Sequence, residues 1–325
     1  MQSHLEVPIV FLGIDASLAQ RLEACYASIK WGSDYRIAPV FSRHPPWDWR
    51  VALPAQGRGL VYLELQEGGR EGESELLRAI HALNPALQIA LFAEDAFDYF
   101  QVAQDFHIGN ILKKGRFDAS IIRALSIRLL TGNIFGFDPY FPSGFMVGPY
   151  FRTYSGRVGI NDVILEAFEF CRPYVHPEEV NSFRIFLHEL LTNTFSYAIE
   201  GISPEERDEK LLRPPPEVFI EERKAIKISL AADAEKVGFS VQDSTGNLSM
   251  LRVLQKLRRQ SKIGDEKMPP GIWDESGRGM SLVYRYSRFI VNILRGVRTE
   301  TIFLQYREPD LNRFESIIIT EVTPF

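Results

Sequence analysis

Apolar runs alternate with amphipathic stretches through the first 130 residues. Short apolar runs closed by polar residues predict buried strands at 8–15 (PIVFLGID), 35–42 (YRIAPVFS), 59–66 (GLVYLELQ), 87–93 (LQIALFA) and 109–115 (GNILKKG). Helical periodicity lies between and after them. It predicts helices at 17–29, with Ser17 able to cap the first, at 74–84, stopping before Pro85, at 95–106 and at 118–130. Alternating strand and helix predicts a doubly wound parallel sheet covered on both faces.

The pattern breaks at 132–151, NIFGFDPYFPSGFMVGPYFR, where glycines and prolines punctuate a run of aromatics. Disordered linkers are poor in aromatics, so this segment reads as an ordered connector. Beyond it the order changes. Helices are expected at about 159–173 and 178–199, then a polar, Pro-rich stretch. A hairpin is expected from strands 224–233 and 236–243, and a helix at 248–260. A Gly-rich helix start is expected at 277–287, and a second hairpin from strands 289–294 and 299–306. A strand at 315–322 either extends a sheet or serves as a contact. This half reads as α+β, an antiparallel sheet with helices largely on one face. The domains are therefore expected at 1–131 and 152–325, with 132–151 between them.

Composition narrows the function classes only a little. The chain is 45% hydrophobic and 24% charged, an ordinary globular balance, and 325 residues suffice for two cores. A net charge of −5 gives no reason to expect a nucleic acid or an anionic membrane as partner. Two distant cysteines form no disulfide framework, and no signal peptide or long apolar span is evident, so a cytoplasmic protein is expected. The sequence leaves the oligomeric state open, a homodimer included.

The candidate chemistry starts in FLHELLTNTF (186–195), where Glu189 and Asn193 stand four residues apart and so share one stripe of a helix. That stripe is either a solvated face or the floor of a cleft. Apolar neighbours (Phe183, Phe186, Leu187, Leu190, Leu191) leave little room for a broad solvated face. Asp243 ends a strand in VQDSTGN, and Gly277 and Gly279 open a helix in GRGMSL. Thr299 lies in the last hairpin, in GVRTE. Each alone has a plain structural explanation: a turn acid, a helix start, a strand residue.

In this order the segments resemble the GHKL ATPases (histidine kinases, anti-sigma serine kinases, gyrase, Hsp90, MutL) over roughly 155–306. The resemblance implies a Bergerat-type α+β sandwich with a mixed, largely antiparallel sheet, and ATP and Mg²⁺ as its ligands. It implies that Asn193 supplies an oxygen to Mg²⁺ and that Glu189 is the base that polarises a hydroxyl or water. It further implies that Asp243 accepts the adenine amino group, that Thr299 helps hold the base, and that Gly246 lets backbone approach it. Gly277 and Gly279 would then present backbone N–H groups to phosphate. The chain departs from the pattern at the aspartate box: Asp-x-Gly-x-Gly is here Asp243-Ser-Thr-Gly-Asn, with Thr245 and Asn247 at the glycine places. Tyr197 stands where many members carry a histidine or lysine. No phosphohistidine helix precedes the domain, and His188 falls within the motif itself.

Residues 8–130 resemble a response-regulator receiver that has lost its chemistry, within a receiver/flavodoxin-like sheet. Glu64 ends the third strand where receivers carry the phosphorylated aspartate, and Asp15 stands alone where they carry an acidic pair. Phe92 or Ala93 takes the place of the usual threonine, and Lys114 that of the conserved lysine. A Glu64–Lys114 pair is expected.

Together these readings predict a signalling protein in which a receiver-like domain that cannot be phosphorylated regulates an ATP-binding domain. That domain would transfer phosphate to a partner protein, by analogy a serine. The alternatives are a non-enzymatic, nucleotide-gated interaction module and a histidine kinase acting on a separate acceptor.

Overall fold

The computed structural model describes residues 5–29, 37–45, 48–65, 70–94, 99–141, 143–195, 217–259, 283, 287–313 and 315–323. The chain is α/β, with parallel and antiparallel pairing, and divides into two compact units. The first comprises 1–134, 138–142 and 316–320; the second comprises 135–137, 143–315 and 321–325.

The first unit runs β1 (Leu5–Leu12), α1 (Ala16–Ser28), β2 (Ile37–His44), α2 (Trp49–Ala52), β3 (Gly59–Glu64), α3 (Arg70–Leu83), β4 (Leu87–Ala93), α4 (Phe100–Phe106), β5 (Asn110–Lys113) and α5 (Ala119–Thr131). Its strands lie in the order β2-β1-β3-β4-β5, all parallel. That is a doubly wound order, with its switch point between β1 and β3. Leu60, Val61, Tyr62 and Leu63 of β3 are all buried, because helices cover both faces of a parallel sheet. The core tolerates three hydroxyls by pairing them: Tyr26 meets Tyr62 at 3.0 Å and Ser126 at 2.6 Å. One sequence expectation is corrected here. The cap of α1 is Asp15, whose carboxylate accepts from the Leu18 N–H at 2.8 Å, and Ser17 lies inside the first turn. Asp118 caps α5 in the same way, accepting from Ile121 at 3.0 Å.

The second unit runs β6 (Val147–Tyr154), β7 (Gly156–Gly159), α6 (Ile160–Cys171), α7 (Val180–Thr194), β8 (Glu217–Ile220), β9 (Ile226–Ala232), β10 (Lys236–Asp243), α8 (Met250–Arg259), β11 (Arg288–Leu294) and β12 (Arg298–Tyr306). Five strands form a sheet in the order β11-β12-β10-β9-β6, and β7 pairs with β8 apart from it. The β10–β12, β9–β10, β11–β12, β6–β9 and β7–β8 pairings of this unit are all antiparallel. Strand β6 takes in residues 147–151, read from sequence as connector. A bulge between Val147 and Tyr150 accommodates Gly148 and Pro149, and proline is tolerated because β6 is the sheet's outer strand.

The chain's last strand, β13 (Ile317–Val322), pairs antiparallel with β5 through Ile317–Ile111 and Ile318–Asn110. It thereby adds an antiparallel strand to the first unit's parallel sheet. Ser316 fastens its start by accepting the Lys113 N–H at 2.8 Å. Among the described residues no helix is long and apolar enough to cross a membrane.

Candidate functional site

Helix α7 is built by its apolar spacing. Phe183, Phe186, Leu187, Leu190 and Leu191 recur at three and four residues, and all are buried. Phe183 meets Phe303 of β12 edge-on, with ring centroids 5.3 Å apart, and Phe303 lies 5.3 Å from Phe239 of β10. The helix therefore packs on the face of the sheet that carries Phe303.

A second anchor sets its direction. Glu179, just before α7, accepts hydrogen bonds from Gln305 and, at 2.8 Å, from Asn312. Burial pushes the Glu179 carboxyl up, and the two amide hydrogen bonds only partly offset that. Glu179 is thus level with Gln305, and Phe183 with Phe303. Side chains alternate along a strand, so Thr299, Thr301, Phe303 and Gln305 share this face. From Gln305 back to Thr299 the strand advances about 20 Å. From Glu179 to Thr192 the helix advances about 20 Å. The turn holding Glu189, Thr192 and Asn193 therefore runs toward Thr299. Asn193 is buried and Glu189 half-buried, on a stripe that borders the apolar one, while His188 is exposed.

Asp243 lies directly across from Thr299 in the β10–β12 register. Paired antiparallel residues stand about 4.5–5.5 Å apart with side chains on one face. The Asp243 carboxylate is half-exposed, and three donors converge on one of its oxygens. Oδ1 accepts from the Thr245 hydroxyl at 2.6 Å, the Thr245 N–H at 2.9 Å and the Gly246 N–H at 3.2 Å. Beside it the Thr299 hydroxyl is fully buried and has no hydrogen-bond partner among the described residues. Orphaned buried hydroxyls are uncommon and call for a ligand or water.

Gly246 is required for a reason the sequence did not suggest. Its φ is +58°, and a Cβ there would lie closer than 3.0 Å to Leu294 O, Gly296 N and Val297 N. Gly296 also donates to the Gly246 carbonyl at 3.1 Å. The aspartate turn is therefore packed on the β11–β12 turn. Gly277, Gly279 and Tyr197 lie outside the described residues.

The opposite face holds a group that sequence reasoning missed. Glu300 is almost fully buried and accepts four neutral donors: Ser240 at 2.7 Å, Gln242 at 3.1 Å, Asn292 at 3.2 Å and the Gly136 N–H at 2.9 Å. Strand alternation could have shown that Thr299 and Glu300 face opposite ways. The polar partners come from three separate segments, and only the fold assembles them.

In the first unit, Glu64 and Lys114 form the expected ion pair. Glu64 also accepts the Asp15 N–H at 3.0 Å, and Glu94 reaches Lys114 at 3.2 Å. All four residues follow or end parallel strands at their carboxyl ends, where open α/β sheets carry their sites. Burial pulls the Lys114 ammonium down, but hydrogen bonds to Glu64 and Glu94 outweigh it and hold it above its ordinary value. Among the described residues no group of three or more His, Cys, Asp or Glu could hold a metal ion. No protein-family model matches the chain, and no curated protein matches it in sequence.

Proposed function

We propose that the second unit is a GHKL-type domain that binds Mg·ATP and transfers the γ-phosphoryl group to a serine of a partner protein. The first unit is then a receiver-like regulatory domain. The observation that carries the reading is the orphaned Thr299 hydroxyl facing Asp243 across the β10–β12 pair. A buried hydroxyl beside a carboxylate that keeps one oxygen for a ligand suits a base edge offering a donor and an acceptor.

In this reading Asp243 accepts the adenine amino group and Thr299 completes the grip on the base. Asn193 offers an amide oxygen to Mg²⁺, a hard cation that takes oxygen ligands, and needs no cluster of carboxylates to do so. Held there, the ion would supply positive charge to offset that of the phosphates. Glu189, one helical turn from Asn193, takes the proton of the acceptor hydroxyl as its oxygen attacks phosphorus and ADP departs. Gly277 and Gly279 are assigned to phosphate by resemblance alone.

The strand order β2-β1-β3-β4-β5 and the place of Glu64 support the receiver-like reading of the first unit. Glu64 already holds Lys114 and the Asp15 N–H, so it is engaged as a structural anion. One observation favours the non-enzymatic alternative: the Gly246 turn is packed on the β11–β12 turn, which leaves the altered aspartate box tightly closed on that side.

Calorimetric titration with ATP, with and without Mg²⁺, tests the site. Binding is expected to depend on Mg²⁺ in the wild type and to lose that dependence in Asn193→Ala. Asp243→Ala should bind at least about tenfold more weakly. Glu189→Ala should bind ATP normally yet lose ADP formation by about a hundredfold or more. Turnover unchanged in Glu189→Ala would remove Glu189 from the role of base, and ATP binding without wild-type turnover would leave the interaction-module reading. No wild-type binding at millimolar ATP would sink the nucleotide reading altogether.

A further inference from the structure

The aspartate box holds Thr245 where the resemblance leads one to expect glycine, and Thr245 is the residue that engages Asp243 most closely. We propose that Thr245 is a positioning residue that determines base specificity, an inference that rests on the nucleotide reading above. Its hydroxyl (2.6 Å), its own N–H (2.9 Å) and the Gly246 N–H (3.2 Å) all donate to Oδ1 of Asp243. A carboxylate oxygen has two lone-pair directions, so three donors saturate it. Oδ2 is then the single oxygen left to meet a base.

Two consequences follow from the chemistry of purine edges. An adenine offers one exocyclic amino donor with a ring acceptor beside it, which matches Oδ2 and the Thr299 hydroxyl. A guanine offers two adjacent donors, which a carboxylate grips best with both oxygens, and Oδ1 is spent. The three donors also hold the carboxylate plane in one orientation, so Oδ2 is aimed before a ligand arrives. A charge-assisted O–H···O bond of 2.6 Å is at the short, strong end of the range. A valine keeps the shape of Thr245 and its N–H but has no hydroxyl; a serine restores the hydroxyl without the methyl.

The test measures dissociation constants of the full chain for Mg·ATP, for the triphosphate of purine riboside, which lacks the amino group, and for GTP. The three proteins are wild type, Thr245→Val and Thr245→Ser, each checked for an unchanged thermal midpoint. Wild type should prefer ATP to the purine analogue by about tenfold or more, since an unmet buried acceptor penalises the analogue. Thr245→Val should lower that preference at least threefold by weakening ATP, with the analogue's own constant unchanged, and should narrow the ATP-to-GTP ratio. Thr245→Ser should restore both ratios. Equal loss of ATP and analogue in Thr245→Val, or unchanged ratios, overturns the role assigned to Thr245 and leaves the nucleotide site standing. If wild type binds none of the three, the nucleotide reading and this inference fall together.

Discussion

At the scale of residues, the sharpest demand in the candidate site is made by a glycine. Gly246 sits at φ +58° with backbone atoms of Leu294, Gly296 and Val297 where a side chain would go. Gly246→Ala must push the β11–β12 turn away or twist the aspartate turn. It is expected to cost about 3 kcal/mol, the range of strained backbone and steric overlap together. Denaturant unfolding checks this, and a loss below about 1 kcal/mol would mean that the two turns are not packed as described. Thr245 shows the limit of reading such a site from a motif. Its departure from the glycine pattern is visible in the sequence and suggests a weakened pocket. The turn geometry makes it instead a third donor to Asp243. Asp–x–Thr is a known local hydrogen-bonding pattern, so the signal was present, but which oxygen it takes depends on the folded turn.

At the scale of elements, the local pattern is a good guide to what forms and a poorer one to how it ends. The apolar spacing of α7 is enough to predict a helix with Glu189 and Asn193 on one stripe. It does not say what the helix lies on. That is decided by Phe183 against Phe303 and by Glu179 held by Gln305 and Asn312. Helix α1 shows the same limit at its start. The sequence pattern points to Ser17 as a possible cap, and Asp15 is an equally good residue type for that place. The structure chooses Asp15, whose own N–H is meanwhile held by Glu64. Asp15→Ala should therefore destabilise the first unit by about 1 kcal/mol, while Ser17→Ala should be nearly neutral. Thermal or denaturant melts of the two variants distinguish them, and the reverse order of losses would return the cap to Ser17.

At the scale of the whole molecule, the chain does not leave the first unit for good at residue 142. Residues 316–320 return to it, and β13 lies antiparallel on β5 with Ile317, Ile318 and Ile319 buried. The Ile319 N–H reaches the Gly109 carbonyl at 2.7 Å, and Lys113 donates to Ser316. A chain ending at Arg313 should thus expose the outer side of β5. Its amides are expected to lose hydrogen-exchange protection by about tenfold or more while those of β3 change less. Unchanged protection at 109–113 would show that β13 adds nothing to that sheet.

What the sequence determined by itself is local. Continuous apolar runs in the first half and alternation in the second specify buried parallel strands and antiparallel hairpins, because period and burial are properties of consecutive residues. The candidate residues Glu189, Asn193, Asp243 and Thr299 were legible as an ordered set of segments. Only the tertiary structure decided that Thr299 stands opposite Asp243 with its hydroxyl buried and orphaned, and that Glu300 gathers donors from two strands and Gly136. It alone decided that the final strand belongs to the first sheet. Each of these depends on strand register and on partners far away along the chain. Those are chosen by which distant surfaces bury each other, and no window of neighbouring residues carries that information.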